Sequence, residues 1–413
     1  MRSSTSGFRL VLIILFTIHL LTSCRTTNGQ DQPPKSPATG DSIINIPAGK
    51  VTVACYYFPN WGPVSTSEWS SVKFATPKFP GHQQPKIPMW GYEDENDPAI
   101  MAKKIDSASD NGIDVFIFDW YYYDSATAQT PGGKYLYRAL EEGFLGAANN
   151  SKLKFAILWC NHDVGNMKGA VRPQTFDEIS DYVIEHYFKH PSYWKINGCP
   201  YFSIYQFNTL LQTFNYDTTS AVAALQRFRT KVKAAGFPDL HLDASLWALT
   251  GKNRDQFVKK FNINSLSTYV WVHHAALTQF PTSEYSGVAE KYFSYVENGG
   301  GFNGLETPAS TIQVPYYLNV TMGWDASSRC KCTSSYWMSH QSPYPLGSVM
   351  VNNTPYQFKK YLARAKSLTL SKPANDRIIM INSWNEWGEG SYLEPDMVNG
   401  MKYLNAVREV FHN

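Results

Sequence analysis

The feature that most limits what this chain can fold into is a recurrence. From residue 51 onward, short apolar runs alternate with helix-patterned stretches almost to the end of the 413-residue sequence. "VTVACYYF" (Val51 to Phe58) stops at Pro59, and "IDVFIFDW" (Ile113 to Trp120) follows Gly112. After them come "KFAILWC", "PYFSIY", "LHLDASLW", "LSTYVWV", "VPYYLNVTMGW" and "RIIMINSW". Such runs, rich in β-branched and aromatic residues and bounded by turn residues, predict strands buried on both faces. Between them, Asp97-Pro98 signals a helix start, with Ile100, Met101, Ile105 and Ala108 on one face. Further helices are predicted near Tyr135 to Leu145, Phe176 to Phe188, Ser220 to Ala235 and Tyr356 to Thr369. Eight strands alternating with helices predict a parallel α/β architecture, and the (β/α)8 TIM-like barrel, as a single domain over 51–413, fits the count and length best. The runner-up is an open doubly wound sheet. That fold usually carries a glycine-rich phosphate loop after its first strand, where this chain has "FPNWGPVS".

The first 50 residues follow other rules. Arg2 and Arg9 precede the apolar run "LVLIILFTIHLL", too short for a membrane span of ~20 residues, and the run ends at Leu21-Thr22-Ser23-Cys24. This order resembles a bacterial lipoprotein signal, which implies removal of residues 1–23 and lipid on Cys24; a plain secretory signal is the alternative. Residues 24–50 are rich in Pro, Thr, Ser and Gly and read as a flexible tether. The expected location is therefore the bacterial cell envelope. Of the remaining cysteines, Cys55 and Cys160 sit in apolar runs as buried thiols. Cys330 and Cys332 lack the second ligand pair of a zinc site, and the odd count argues against a full disulfide framework. No metal or cofactor is implied. A formal charge of +3 argues against a nucleic-acid partner.

In a barrel, chemistry belongs at the C-terminal strand ends. Those ends carry, in order, Tyr56, Tyr57, Asn60 and Trp61; Asp119, Trp120 and Tyr121 to Tyr123; Trp159, Asn161, His162 and Asp163; Tyr205 and Gln206; Trp271, His273 and His274; Trp324 and Asp325. The last strand ends in Trp384, Asn385, Glu386, Trp387 and Glu389. Aromatic faces beside amides, imidazoles and acids suit a sugar, although any single ring is equally explained as a cap on the core. The binding candidates are Asp119, Tyr121, Asn161, His162, Trp271, His273, Trp324 and Asn385.

The stretch "INSWNEWGEGSYLEPD" (Ile381 to Asp396) concentrates four acids in a chain that is only 17% charged. Glycoside cleavage needs one carboxyl group to protonate the leaving oxygen and a second to activate a nucleophile. Glu386 and Glu389 can supply both from one loop. Crowding beside Trp384 and Trp387 is expected to raise one pKa toward that of a useful acid. Glu394 is the weaker partner, either orienting the loop or binding a hydroxyl; an acidic surface turn is the bland alternative.

These residues carry a resemblance. "CYYFPNW", "FPGHQQPKIPMWGYEDENDP", "NGIDVFIFDWYYYD", "VTMGWDASSR" and the stretch just quoted are similar to the glycoside hydrolase family 99-like group, which includes the WbsX-type glycosyltransferase domain, over residues 51 to 410. The resemblance implies a (β/α)8 barrel acting on α-linked sugars, as endo-α-mannosidases do, with retention through a 1,2-anhydro sugar. By motif match it makes Glu386 the base toward the sugar 2-hydroxyl and Glu389 the acid and then the base, and adds Trp61 and His82 to the binding set. Gly388 departs from the His-containing loop of the endo-α-mannosidases and leaves the sugar open. Two further readings stay open: a WbsX-type glycosyltransferase in polysaccharide synthesis, and an inactive glycan-binding lipoprotein.

Overall fold

The computed structural model describes residues 44–63, 67–124, 133–249, 251–341 and 344–412. The expected signal segment 1–23, Cys24 and most of the 24–50 tether lie outside the described residues. Among the described residues no helix is long and apolar enough to cross a membrane.

Each of the eight apolar runs coincides with or overlaps a strand: β1 (Thr52–Tyr57), β2 (Val115–Tyr122), β3 (Lys154–Trp159), β4 (Cys199–Ile204), β5 (His241–Ser245), β6 (Ser265–Ser267), β7 (Tyr316–Thr321) and β8 (Ile378–Asn382). Neighbours pair in parallel in chain order, and β1 pairs with both β2 and β8, so the described strands close a ring. The register places Tyr57 beside Phe118, Trp120 beside Trp159, and Thr321 beside Asn382. The chain is an eight-stranded parallel TIM-like (β/α)8 barrel and a single domain.

The surrounding helices are α1 (Pro98–Asp110), α2 (Ala139–Phe144), α3 (Pro173–Val183), α4 (Thr218–Ala234), α5 (Gly251–Phe261), α6 (Tyr285–Asn298), α7 (Pro355–Leu370) and α8 (Lys402–Phe411). Asp97 caps α1 as its sequence predicts, its carboxylate accepting from the Ala99 amide at 2.8 Å. The sequence reading missed α5, α6 and α8. Helix α6 buries Tyr285, Val288, Ala289, Tyr292, Phe293 and Val296, a helical stripe built from residues with equal strand preference. Helix α2 is shorter than expected because Lys134–Tyr135 pairs antiparallel with the end of β2.

Two departures position the site. Strand β6 is only three residues long, and Trp271–His273 leaves the wall as a tight turn, so Tyr269 follows the strand directly into the barrel mouth. Inside the ring, Asp243 accepts hydroxyl hydrogen bonds from Ser203, Ser265 and Ser267 at 2.6–2.7 Å, a polar clasp joining β4, β5 and β6.

Candidate active site

Strand β8 is buried throughout, and the chain beyond it folds into a small hairpin, Asn385–Glu386 against Ser391–Tyr392. Gly390 supplies the left-handed turn (φ 64°), and a Cβ there would meet Asp325 Cβ at 2.7 Å. The indoles of Trp384 and Trp387 point to the rear of the hairpin, where their N–H groups donate to the two oxygens of Glu394 at 2.9 and 2.7 Å. Glu386 and Glu389 therefore face the opposite way, into the barrel mouth. The tryptophans do not ring the acids, as their spacing suggests. They anchor the loop that carries them.

The mouth holds a cavity of about 460 Å³, walled by Phe58, Tyr121, Tyr205, Tyr269, Trp324 and Tyr344 and bearing Asp119, Glu386, Glu389, Arg329, His162 and His273. Glu386 is 4% exposed and Asp119 3%. One oxygen of Glu386 lies 2.9 Å from the Tyr269 hydroxyl, and the other accepts from Arg329 Nη2 at 3.3 Å. The same tyrosine hydroxyl is 2.8 Å from Asp119 Oδ2. Glu389 accepts from the Tyr344 hydroxyl at 2.8 Å. Burial, reinforced by the neighbouring Glu389, pushes the Glu386 carboxyl well above the ordinary range, against the pull of Arg329. Burial also raises Glu389, with Arg329 and Tyr344 opposing it. His273, stacked on Trp247 at 4.8 Å, is driven down to about 3 by burial, and His162 is lowered for the same reason, so both imidazoles are neutral. Among the described residues their Nδ1 atoms are buried without hydrogen-bond partners, as is Asp119 Oδ1. Such unfilled polar atoms in a cavity wall are groups that a polyhydroxylated ligand can satisfy.

Of the residues singled out from sequence, Glu386, Glu389, Asp119, Tyr121, His162, His273 and Trp324 line this cavity. Six others do not. Trp271 is 0% exposed and packs outward among Tyr285, Tyr292 and Phe293, because the β6 turn rotates it away. Trp61 packs against Trp69, ring centroids 4.2 Å apart and tilted by 43°, beneath the hairpin. Asn161 bonds the backbone N–H and C=O of Gln206, both at 2.8 Å, clipping the β3 and β4 ends together. Asn385 holds the Phe58 backbone and Glu95 in the same manner. Glu394 is taken up by the two indoles and by Lys104. His82 accepts the Lys78 amide at Nδ1, which leaves its Nε2–H to donate to Asp325 at 2.9 Å. It lines a second cavity, of about 300 Å³, on the far face of the hairpin with Lys86, Asp325, Gly390 and Tyr392.

Sequence reasoning missed Tyr269, Arg329, Tyr344 and Phe58 as wall residues. Tyr269 lies two positions from the Trp271 chosen in its place, and only the early end of β6 separates them. Arg329 follows Trp324-Asp325 in the β7 loop, where a lone arginine gives no signal. Cys330 and Cys332 are joined by a disulfide directly beside it.

The fold places the chain among known structures. It superposes on the GH99 endo-alpha-mannosidase from Bacteroides thetaiotaomicron with a TM-score of 0.52 and 16% identity, covering 87% of this chain and 96% of that one. A structure described as a glycoside hydrolase-like protein gives a TM-score of 0.57 and 16% identity, covering 90% and 97%. Among curated sequences, the uncharacterized protein WxcX of Xanthomonas campestris pv. campestris (strain B100) is 22% identical over 388 residues. That alignment takes in 87% of this chain and 49% of the relative, so the chain spans about half its length. The sequence profile of the family described as Glycosyltransferase WbsX matches residues 59–407, nearly the whole barrel, and the chain belongs to that family.

Proposed function

We propose that the protein is a glycoside hydrolase that cleaves α-linked sugars with retention. The observation carrying this reading is the convergence of Glu386 and Glu389, from one hairpin, on an aromatic-walled cavity at the C-terminal mouth of the barrel. Their surroundings differ as their roles require. Glu386 is held on one oxygen by Tyr269 and on the other by Arg329, the setting of a base whose anion is stabilised in place. Burial raises both carboxyl groups, but among the described residues Glu389 has no cation in contact and accepts from the neutral Tyr344 hydroxyl, the setting of a proton donor.

In the first step Glu386 takes the proton of the sugar 2-hydroxyl, and the C2 oxygen attacks C1. The bond from C1 to the leaving oxygen breaks as Glu389 protonates that oxygen, giving a 1,2-anhydro sugar. Water then attacks C1 while Glu389 accepts its proton, and the C2 oxygen recovers its proton from Glu386. Attack from the rear requires a 2-hydroxyl trans to the leaving group, as in an α-mannoside. The structural likeness to an endo-alpha-mannosidase supports this sugar class.

Glu386→Gln and Glu389→Gln should each lower turnover of an α-linked glycan by ~10³-fold, within the range of lost acid-base catalysis, while the fold is retained. Full hydrolysis by both variants would reject the assignment. The family description favours a second reading, sugar transfer to a glycan acceptor. Product analysis separates the two: hydrolysis releases a reducing sugar without any nucleotide-sugar donor, and transfer does not.

A further inference from the structure

The Tyr269 hydroxyl stands between two carboxyl groups, 2.8 Å from Asp119 and 2.9 Å from Glu386. A phenol has one proton to donate. If both carboxyl groups were anions, one of these contacts would set a lone pair against a buried negative charge with no hydrogen between. The chain Asp119–Tyr269–Glu386 therefore holds a second proton, and the surroundings decide which end keeps it.

Titratable groups facing this chain are Tyr56 from β1, Tyr121 from β2, Cys160 and His162 after β3, Tyr205 after β4, His273 after β6, Arg329 and Tyr344 after β7, and Glu389 after β8. Glu68 stands behind Arg329 at 3.8 Å. Among the described residues lining the cavity, Arg329 is the one cation, and it contacts Glu386. Among the described residues Asp119 has no cation in contact and its Oδ1 is buried without a hydrogen-bond partner within normal geometry, so a charge there is stabilised only by the Tyr269 hydroxyl and the neighbouring Cys160 thiol, both neutral groups.

We propose that Asp119 keeps the shared proton and is a positioning residue: it donates to the Tyr269 oxygen, turns the tyrosine proton toward Glu386, and so holds Glu386 as an oriented anion. Burial raises both ends of the chain, Asp119 to about 8 and Glu386 well above its ordinary range, so the choice between them rests on Arg329, which contacts Glu386. The inference rests on the proposed role of Glu386, but its test needs no substrate.

The measurement is infrared difference spectroscopy of the full chain, with ¹³C placed in the carboxyl groups of aspartate alone or of glutamate alone. At pH 7 the wild type minus Asp119→Asn spectrum should contain a protonated carboxylic acid band that shifts with the aspartate label and fades as the pH passes about 8. Tyr269→Phe, which leaves both acids in place, should move that band to the frequency of an acid lacking a hydrogen bond. A band that follows the glutamate label, or an aspartate band unmoved by Tyr269→Phe, would overturn the proposal. Absence of hydrolysis on any α-glycoside would instead count against the proposed function and leave the proton assignment standing.

Discussion

At the scale of single residues, Gly388 is the most exacting position in the loop. A Cβ there would meet Arg329 Nε at 2.7 Å and Nη2 at 3.0 Å, and Nε is too near the stem of the side chain to yield cheaply. Gly388→Ala should push the guanidinium off Glu386, whose acidity Arg329 sustains. The acid limb of kcat/KM should then move to higher pH, with a loss of about tenfold or more at neutral pH. An unmoved limb would remove Arg329 from control of Glu386. Asp119 makes a separate prediction. Its pKa is raised from 3.8 to about 8 on folding, so the folded state binds the extra proton across that window. Stability from this group is complete below about pH 4 and is lost as the pH rises through about 8. Denaturant unfolding from pH 5 to 8 should show a steeper decline for the wild type than for Asp119→Asn; parallel curves would refute it. The acids were legible in the sequence because four carboxylates within sixteen residues are rare in so lightly charged a chain. Tyr269 and Arg329 were not, since each is an ordinary residue made special by where a strand happens to end.

At the scale of elements, the hairpin after β8 is held from behind by α1. Lys104 of α1 is buried between Glu95 and Glu394, and Glu394 in turn accepts both indoles of the hairpin. Glu95, raised to about 7 chiefly by burial, also receives Asn385. Lys104→Met should leave two buried carboxylates without their cation and cost about 3–5 kcal/mol, read by urea unfolding. A loss under 1 kcal/mol would show that the buttress is dispensable. The helix cap at Asp97-Pro98 announced α1, yet nothing in its apolar spacing revealed that a lysine would lie on the buried face. The strands were legible because burial on both faces demands continuous apolar runs. The helices α5 and α6 were harder to read, since charged or aromatic residues mask their period.

At the scale of the whole molecule, the barrel accounts for residues 51 onward, and the expected lipid attachment at Cys24 concerns the part before it. Cys24→Ala should move the protein from the membrane fraction to the soluble envelope fraction after fractionation; unchanged membrane association would argue against lipidation. The barrel also has a property of its own. Many barrel enzymes assemble their reacting groups from several strand ends, so their spacing depends on the whole ring. Here both acids come from one hairpin, bolted down by indoles, a lysine and a glutamate. Descendants of such a chain could exchange the loops that touch neither acid, leaving the strand ends that carry Asp119, Tyr269, Arg329 and Tyr344, and so vary what the mouth admits while the spacing of the paired carboxyl groups passed unaltered.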